Sequence, residues 1–74
     1  MITQGERLKQ IRTELRLSQA KLGNSLGISA PSIGKAEKGI NRLSNESLTK
    51  LLENHNVNIN YLLGGEGEMF ITKD

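Results

Sequence analysis

Between Leu17 and Gly39 the chain reads LSQAKLGNSLGISAPSIGKAEKG, and helix start and stop signals alternate along it too closely for anything but two brief helices. Ser18 is an N-cap, its oxygen suited to the free backbone donors of a first turn. Gly27 ends that helix with a residue suited to left-handed geometry. Ser29 caps the next helix, Pro31 falls in its first turn where a missing N–H costs little, and Gly39 closes it. Ala20, Leu22 and Leu26 lie in the first of these helices, and Ile33 and Ala36 face inward from the second. Two short helices across one tight Gly-containing turn form a unit that sets a helix into a DNA groove.

The same signals continue on both sides. Thr3-x-x-Glu6 is a capping box, and Leu8, Ile11 and Leu15 recur at helical spacing, which predicts a helix from about Gln4 to Leu15. Ser44 opens a fourth helix with Leu48, Leu51 and Leu52 as its apolar stripe, broken by Asn54-His55-Asn56. Asn58 caps a short fifth helix holding Ile59, Leu62 and Leu63 and stopped at Gly64-Gly65. Every connection is short, so the five helices must pack as one compact all-α domain over residues 1–65. The tail, 66–74, has no helical period. Its apolar trio Met69-Phe70-Ile71 leaves three fates open: folding back on the domain, pairing with another chain as a dimer segment, or opening a linker.

Composition excludes more than it selects. At 74 residues the chain is near the lower limit for folding on a hydrophobic core alone. With no Cys there is neither a disulfide nor a thiolate metal site. The lone histidine, His55, stands at the edge of the core or at a dimer contact, without a second ligand or a nucleophile. No carboxylate pair, Cys/His cluster or phosphate loop points to catalysis, so no enzyme activity, cofactor, metal or small-molecule substrate is expected. No apolar run approaches the roughly 18 residues of a membrane span, and the N-terminus lacks a signal-peptide core. The expectation is a soluble, cytoplasmic chain with no membrane partner.

The net charge of +2 is small, but it is unevenly spread. Residues 1–42 hold eight Lys and Arg against three Glu, a net +5, whereas residues 43–74 hold two Lys against five acids, a net −3. A basic half and an acidic half suggest a polyanion on one face.

In order, the segments RLKQIR, LSQAKLGNSLGIS, IGKAEKG and VNINYLLGGEGEMF resemble the Cro/C1-type, XRE-like helix-turn-helix domains of phage repressors and bacterial regulators. The resemblance covers about residues 5–65. It implies a lambda-repressor-like five-helix fold and a sequence-specific transcriptional regulator. The expected activity is that of a repressor binding double-stranded DNA in the nucleoid, through the major groove, as a homodimer on a palindromic operator. The rival reading is an antitoxin-like or coactivator-like protein-interaction module, because one fold can host several functions. The chain departs from the family at Gly23, where Ala is usual, and at Ala30 and Pro31, where many relatives carry Gln, Arg or Ser.

Helix-turn-helix docking presents the N-terminal outward residues of the second helix to base edges, here Ala30, Pro31, Gly34 and Lys35. Lys35 alone among them donates hydrogen bonds, and its natural target is guanine O6/N7. Ala30 and Pro31 offer only apolar contact, which suits a thymine methyl, and Gly34 permits close backbone approach. Gln19 is expected on phosphate from the N-terminus of its helix, as is its counterpart in the family, and Ser32, Lys38, Asn41 and Arg42 complete the expected phosphate set. Arg16 and Lys21 read as solvated charges. Arg12 and Glu37 match family positions that form an ion pair between the first helix and the recognition helix, which implies a partly buried bidentate pair.

Overall fold

A side-chain oxygen meets the orphan donors at the start of each helix. In the computed structural model, which describes residues 2–71, Thr3 caps α1 (Gln4–Glu14) and Ser18 caps α2 (Gln19–Leu26). Ser29 caps α3 (Ala30–Glu37), Ser44 caps α4 (Asn45–His55) and Asn58 caps α5 (Ile59–Gly64). The Thr3–Glu6 capping box is complete, with the Thr3 hydroxyl oxygen accepting from the Glu6 N–H at 3.1 Å. Gly27 holds φ +77 at the α2–α3 turn, the left-handed geometry that lets α3 leave α2 sharply. Asn56 takes the same left-handed role at the end of α4, with φ +55.

The five helices enclose one core. Leu8 and Ile11 come from α1, Leu22 and Leu26 from α2, Ile33 and Ala36 from α3, Leu51 from α4 and Leu62 from α5. Val57, in the α4–α5 connection, is fully buried among them. The apolar stripe expected on α4 needs correction. Leu51 is buried and Leu48 half-buried, but Leu52 is 40% exposed, and Ser47 takes the inward place one turn before Leu51. Leu52 follows Leu51 by 100° of helix rotation and so turns to solvent. The Ser47 N–H donates to the Ser44 hydroxyl oxygen, and that hydroxyl donates to Ser47 Oγ, which makes Ser47 tolerable inside. Leu63 is likewise turned out, at 47% exposed, beside the buried Leu62.

The tail returns to the domain along the described part of its length. Val57 and Phe70 form an isolated antiparallel bridge, with the Asn58 N–H donating to Met69 O at 2.9 Å and the Ile71 N–H to Asn56 O at 2.8 Å. Asn58 also donates from its side chain to Glu68 O at 2.8 Å. Met69 and Phe70 pack against the core, so residues 66–71 belong to the folded body; residues 72–74 of the tail lie outside the described residues.

Three devices set the angles between helices. At Gly5 a Cβ would strike the carbonyl oxygens of Ala36, at 2.6 Å, and Glu37, so α1 starts hard against the last turn of α3. At Gly23 a Cβ would come within 2.5 Å of Ile28 O, which keeps α2 tight on the turn that follows it. Arg7 spreads its guanidinium over three carbonyls: Nε donates to Leu62 O at 2.9 Å, Nη2 to Leu63 O at 3.1 Å and Nη1 to Ile2 O at 2.8 Å. It thereby satisfies the last turn of α5 from α1. Tyr61 adds a second tie, its hydroxyl donating to Gln10 Oε1 at 2.7 Å.

Two substitutions test this frame by urea unfolding. Gly5→Ala gains about 1 kcal/mol of helix propensity but must displace two backbone carbonyls. Overpacking of that kind costs about 1–3 kcal/mol, so a net loss of stability is expected; a stabilised variant would remove the close approach from the account. Arg7→Lys keeps the charge but loses the planar fork. A loss of about 1–2 kcal/mol is expected, the scale of net hydrogen bonds to charged groups, and equal stability would show the clamp to be idle.

Candidate nucleic-acid interface

Glu37 sits at the junction of α1, α2 and α3, with its side chain only 5% exposed. A carboxylate taken from water there needs partners on both oxygens. Arg12 of α1 supplies a fork: Nε donates to Oε2 at 2.5 Å and Nη2 to Oε1 at 3.3 Å, while Nη1 donates to Leu17 O at 3.0 Å. Gln19, the first residue of α2, donates from Nε2 to Oε1 at 3.1 Å. One buried carboxylate thus ties the first two helices to the end of the third. Among the described residues no buried side-chain nitrogen or oxygen lacks a partner.

Together with the buried Ile33 and Ala36, this junction sets which face of α3 reaches solvent. Ile33, Ala36 and Glu37 are buried, and Pro31 and Lys35 are exposed, with Ala30 and Gly34 half-buried beside them. Gly34 lies beneath the Gln19 carboxamide, which is turned onto α3 instead of along the axis of α2. The backbone N–H groups of Gln19 and Ala20 remain in the first turn of α2, where donors have no intrahelical acceptor.

The remaining expected contact residues fall into a second group. Ser32, Asn41 and Arg42 line one shallow hollow together with Ile28, Leu43 and Ser44. The Ser32 hydroxyl lies 2.9 Å from that of Ser29 and is half-buried. Lys38, Asn41 and Arg42 are exposed where α3 ends, and the chain is turned there by the Ile40 N–H donating to Lys35 O at 2.9 Å. The structure therefore gathers Gln19, Gly34 and Glu37 at one place and Ser32, Asn41 and Arg42 at another.

The charge asymmetry takes a sharper form in three dimensions. Of the eight basic residues in the N-terminal part, Arg7 and Arg12 are committed to α5 carbonyls and to Glu37. The other six, Lys9, Arg16, Lys21, Lys35, Lys38 and Arg42, are all exposed, and among the described residues none is in an ion pair. Sequence reasoning missed the role of Arg7, because its two α5 acceptors lie more than fifty residues away. It also missed Ile40, 66% exposed beside Lys38 and Asn41. His55 lies at the end of α4 with Nε2 2.7 Å from Ser25 Oγ of α2.

Comparison with known proteins gives a consistent result. The helix-turn-helix family model matches residues 8–62. Two uncharacterised HTH-type transcriptional regulators, from Sinorhizobium medicae (strain WSM419) and Rhizobium meliloti (strain 1021), are each 42% identical over 57 residues, 77% of this chain. The chain spans only 41% of the length of these relatives. Among solved structures, the P22 c2 repressor protein in its complex with synthetic operator 9T superposes with a TM-score of 0.80 at 30% identity, covering 89% of this chain and all of that one. Five capped helices, a tight Gly27 turn and a match over most of the chain lead to one assignment: the chain belongs to the helix-turn-helix family of DNA-binding transcriptional regulators, in the fold of a phage repressor domain.

Proposed function

We propose that this chain is a repressor that binds a palindromic operator as a homodimer, with α3 in the major groove. The observation that carries the reading is the buried Arg12–Glu37–Gln19 junction, which ties α3 to α1 and α2 while Pro31 and Lys35 stay exposed on its outward face. The similar P22 c2 repressor is bound to operator DNA in its crystal structure, which supports the same use here. Lys35 reads guanine, while Ala30 and Pro31 make apolar contact with thymine methyls and Gly34 allows close backbone approach. Ser32, Lys38, Asn41 and Arg42, with the free N–H groups at the Gln19 end of α2, position the phosphate backbone.

The dimer surface is formed by the α4–α5 region and the returning tail. Leu52, Leu63 and Ile71, at 40%, 47% and 44% exposed, supply apolar area there. Burying such residues between subunits is the common route to a two-fold interface. A two-fold dimer in turn requires a palindromic site with half-sites about one helical turn apart.

Binding to an operator obtained by in-vitro selection tests the reading. With about six phosphate contacts per domain, affinity is expected to fall by about 10³-fold or more between about 50 mM and about 200 mM salt. No binding at the lower salt would refute it. Lys35→Ala is expected to relax preference at one base pair by about 10-fold, whereas Lys38→Ala weakens all sequences alike. Identical profiles for the two variants would mean that Lys35 reads no base.

A further inference from the structure

The outward face of α3 is short of hydrogen-bonding groups, since Ala30 ends in a methyl and Gly34 has no side chain. The gap at Gly34 is covered from another helix. An ideal Cβ at Gly34 would lie 3.4 Å from Gln19 Nε2, 3.5 Å from Oε1 and 3.7 Å from Cδ. Nε2 and Oε1 are the nearest atoms and Cδ the farthest, so the carboxamide turns its N–O edge toward the place a side chain at 34 would occupy. The amide of an α2 residue therefore stands on the recognition face of α3.

Its orientation is fixed by Glu37. A carboxylate only accepts hydrogen bonds, so the amide nitrogen must face it, and the 3.1 Å contact to Glu37 Oε1 spends one of the two Nε2 protons. What remains is one Nε2 donor and the Oε1 acceptor on an amide whose nitrogen is tied to Glu37. That pair matches the major-groove edge of adenine, where N7 accepts and the N6 amino group donates. It mismatches guanine, whose N7 and O6 both accept, since Gln19 Oε1 would meet O6 oxygen to oxygen.

We infer that the Gln19 carboxamide is a base-reading group of this domain, specific for adenine, seated in the space that Gly34 leaves and oriented by Glu37. The assignment rests on the DNA-binding reading above. It gives α2 a direct part in sequence recognition, while its backbone N–H groups serve phosphate. Gly34 and Glu37 are positioning residues in this scheme: one vacates the seat and the other turns the amide.

The test uses the 74-residue chain and operators selected for binding. The selected half-site is expected to contain an adenine whose replacement by 7-deazaadenine weakens wild-type binding about 10-fold, the scale of leaving one hydrogen-bond donor without its acceptor. Gln19→Ala is expected to bind both DNAs with the same affinity, abolishing the ratio. Gly34→Leu retains Gln19 but fills its seat, and it is expected to abolish the ratio as well. A ratio is read within each variant, so general weakening from added bulk does not affect it, and circular dichroism shows which variants are folded. A 7-deazaadenine penalty that persists in folded Gln19→Ala overturns the assignment. So does a Gln19→Ala variant that weakens every sequence alike, the signature of a phosphate contact. Failure of the wild-type chain to select any DNA at low salt overturns the DNA-binding reading and the assignment with it.

Discussion

The carboxylate of Glu37 is the point on which the arrangement of the first three helices depends. A charge with its side chain 5% exposed is expensive unless each oxygen is hydrogen-bonded, and the partners come from two different helices. Arg12 and Gln19 can both reach Glu37 only if α1, α2 and α3 meet at one angle. Gly5 supports the same geometry sterically, because α1 can reach α3 only without a side chain there. Burial of Ile33 and Ala36 decides which side of α3 turns inward, and the bidentate fork with its third donor ties that helix to α1 and α2. The orientation of the outward face of α3 thus rests on hydrogen bonding to a buried charge as well as on apolar burial.

The parts of the fold legible from sequence are those decided by local chemistry. Thr3, Ser18, Ser29, Ser44 and Asn58 each start a helix because a short polar side chain folds back on its own first turn. The turn at Gly27 follows from the freedom of one residue. The parts that were not legible depend on distant partners. Leu52 and Leu63 match a helical stripe as well as their buried neighbours do, and only the position of the rest of the core decides which faces inward. Arg7 looks like any surface cation until the carbonyls of Leu62 and Leu63 arrive beside it. The tail offers no periodicity, because its pairing with residues 56–58 is a single bridge.

The candidate interface divides along the same line. Which residues of α3 face outward follows from helical spacing, since Ile33 and Ala36 must be inside. The direction of the Gln19 amide does not, because it depends on a carboxylate eighteen residues away and on the space above Gly34. With Ala30 and Pro31 apolar, the face presents few donors of its own. In the proposed reading, deformability of the operator carries part of the discrimination, alongside Lys35 and the seated amide.

A double-mutant cycle on Arg12 and Glu37, read by urea unfolding, tests the central claim most directly. Arg12→Met and Glu37→Met each leave one buried charge without its partner, and each is expected to cost about 3 kcal/mol or more. The double variant removes both charges together, so its loss should fall short of the two single losses combined by about 2 kcal/mol. Small additive losses, each under about 1 kcal/mol, are what an exposed surface pair gives. That result would contradict the view that this junction sets the recognition helix.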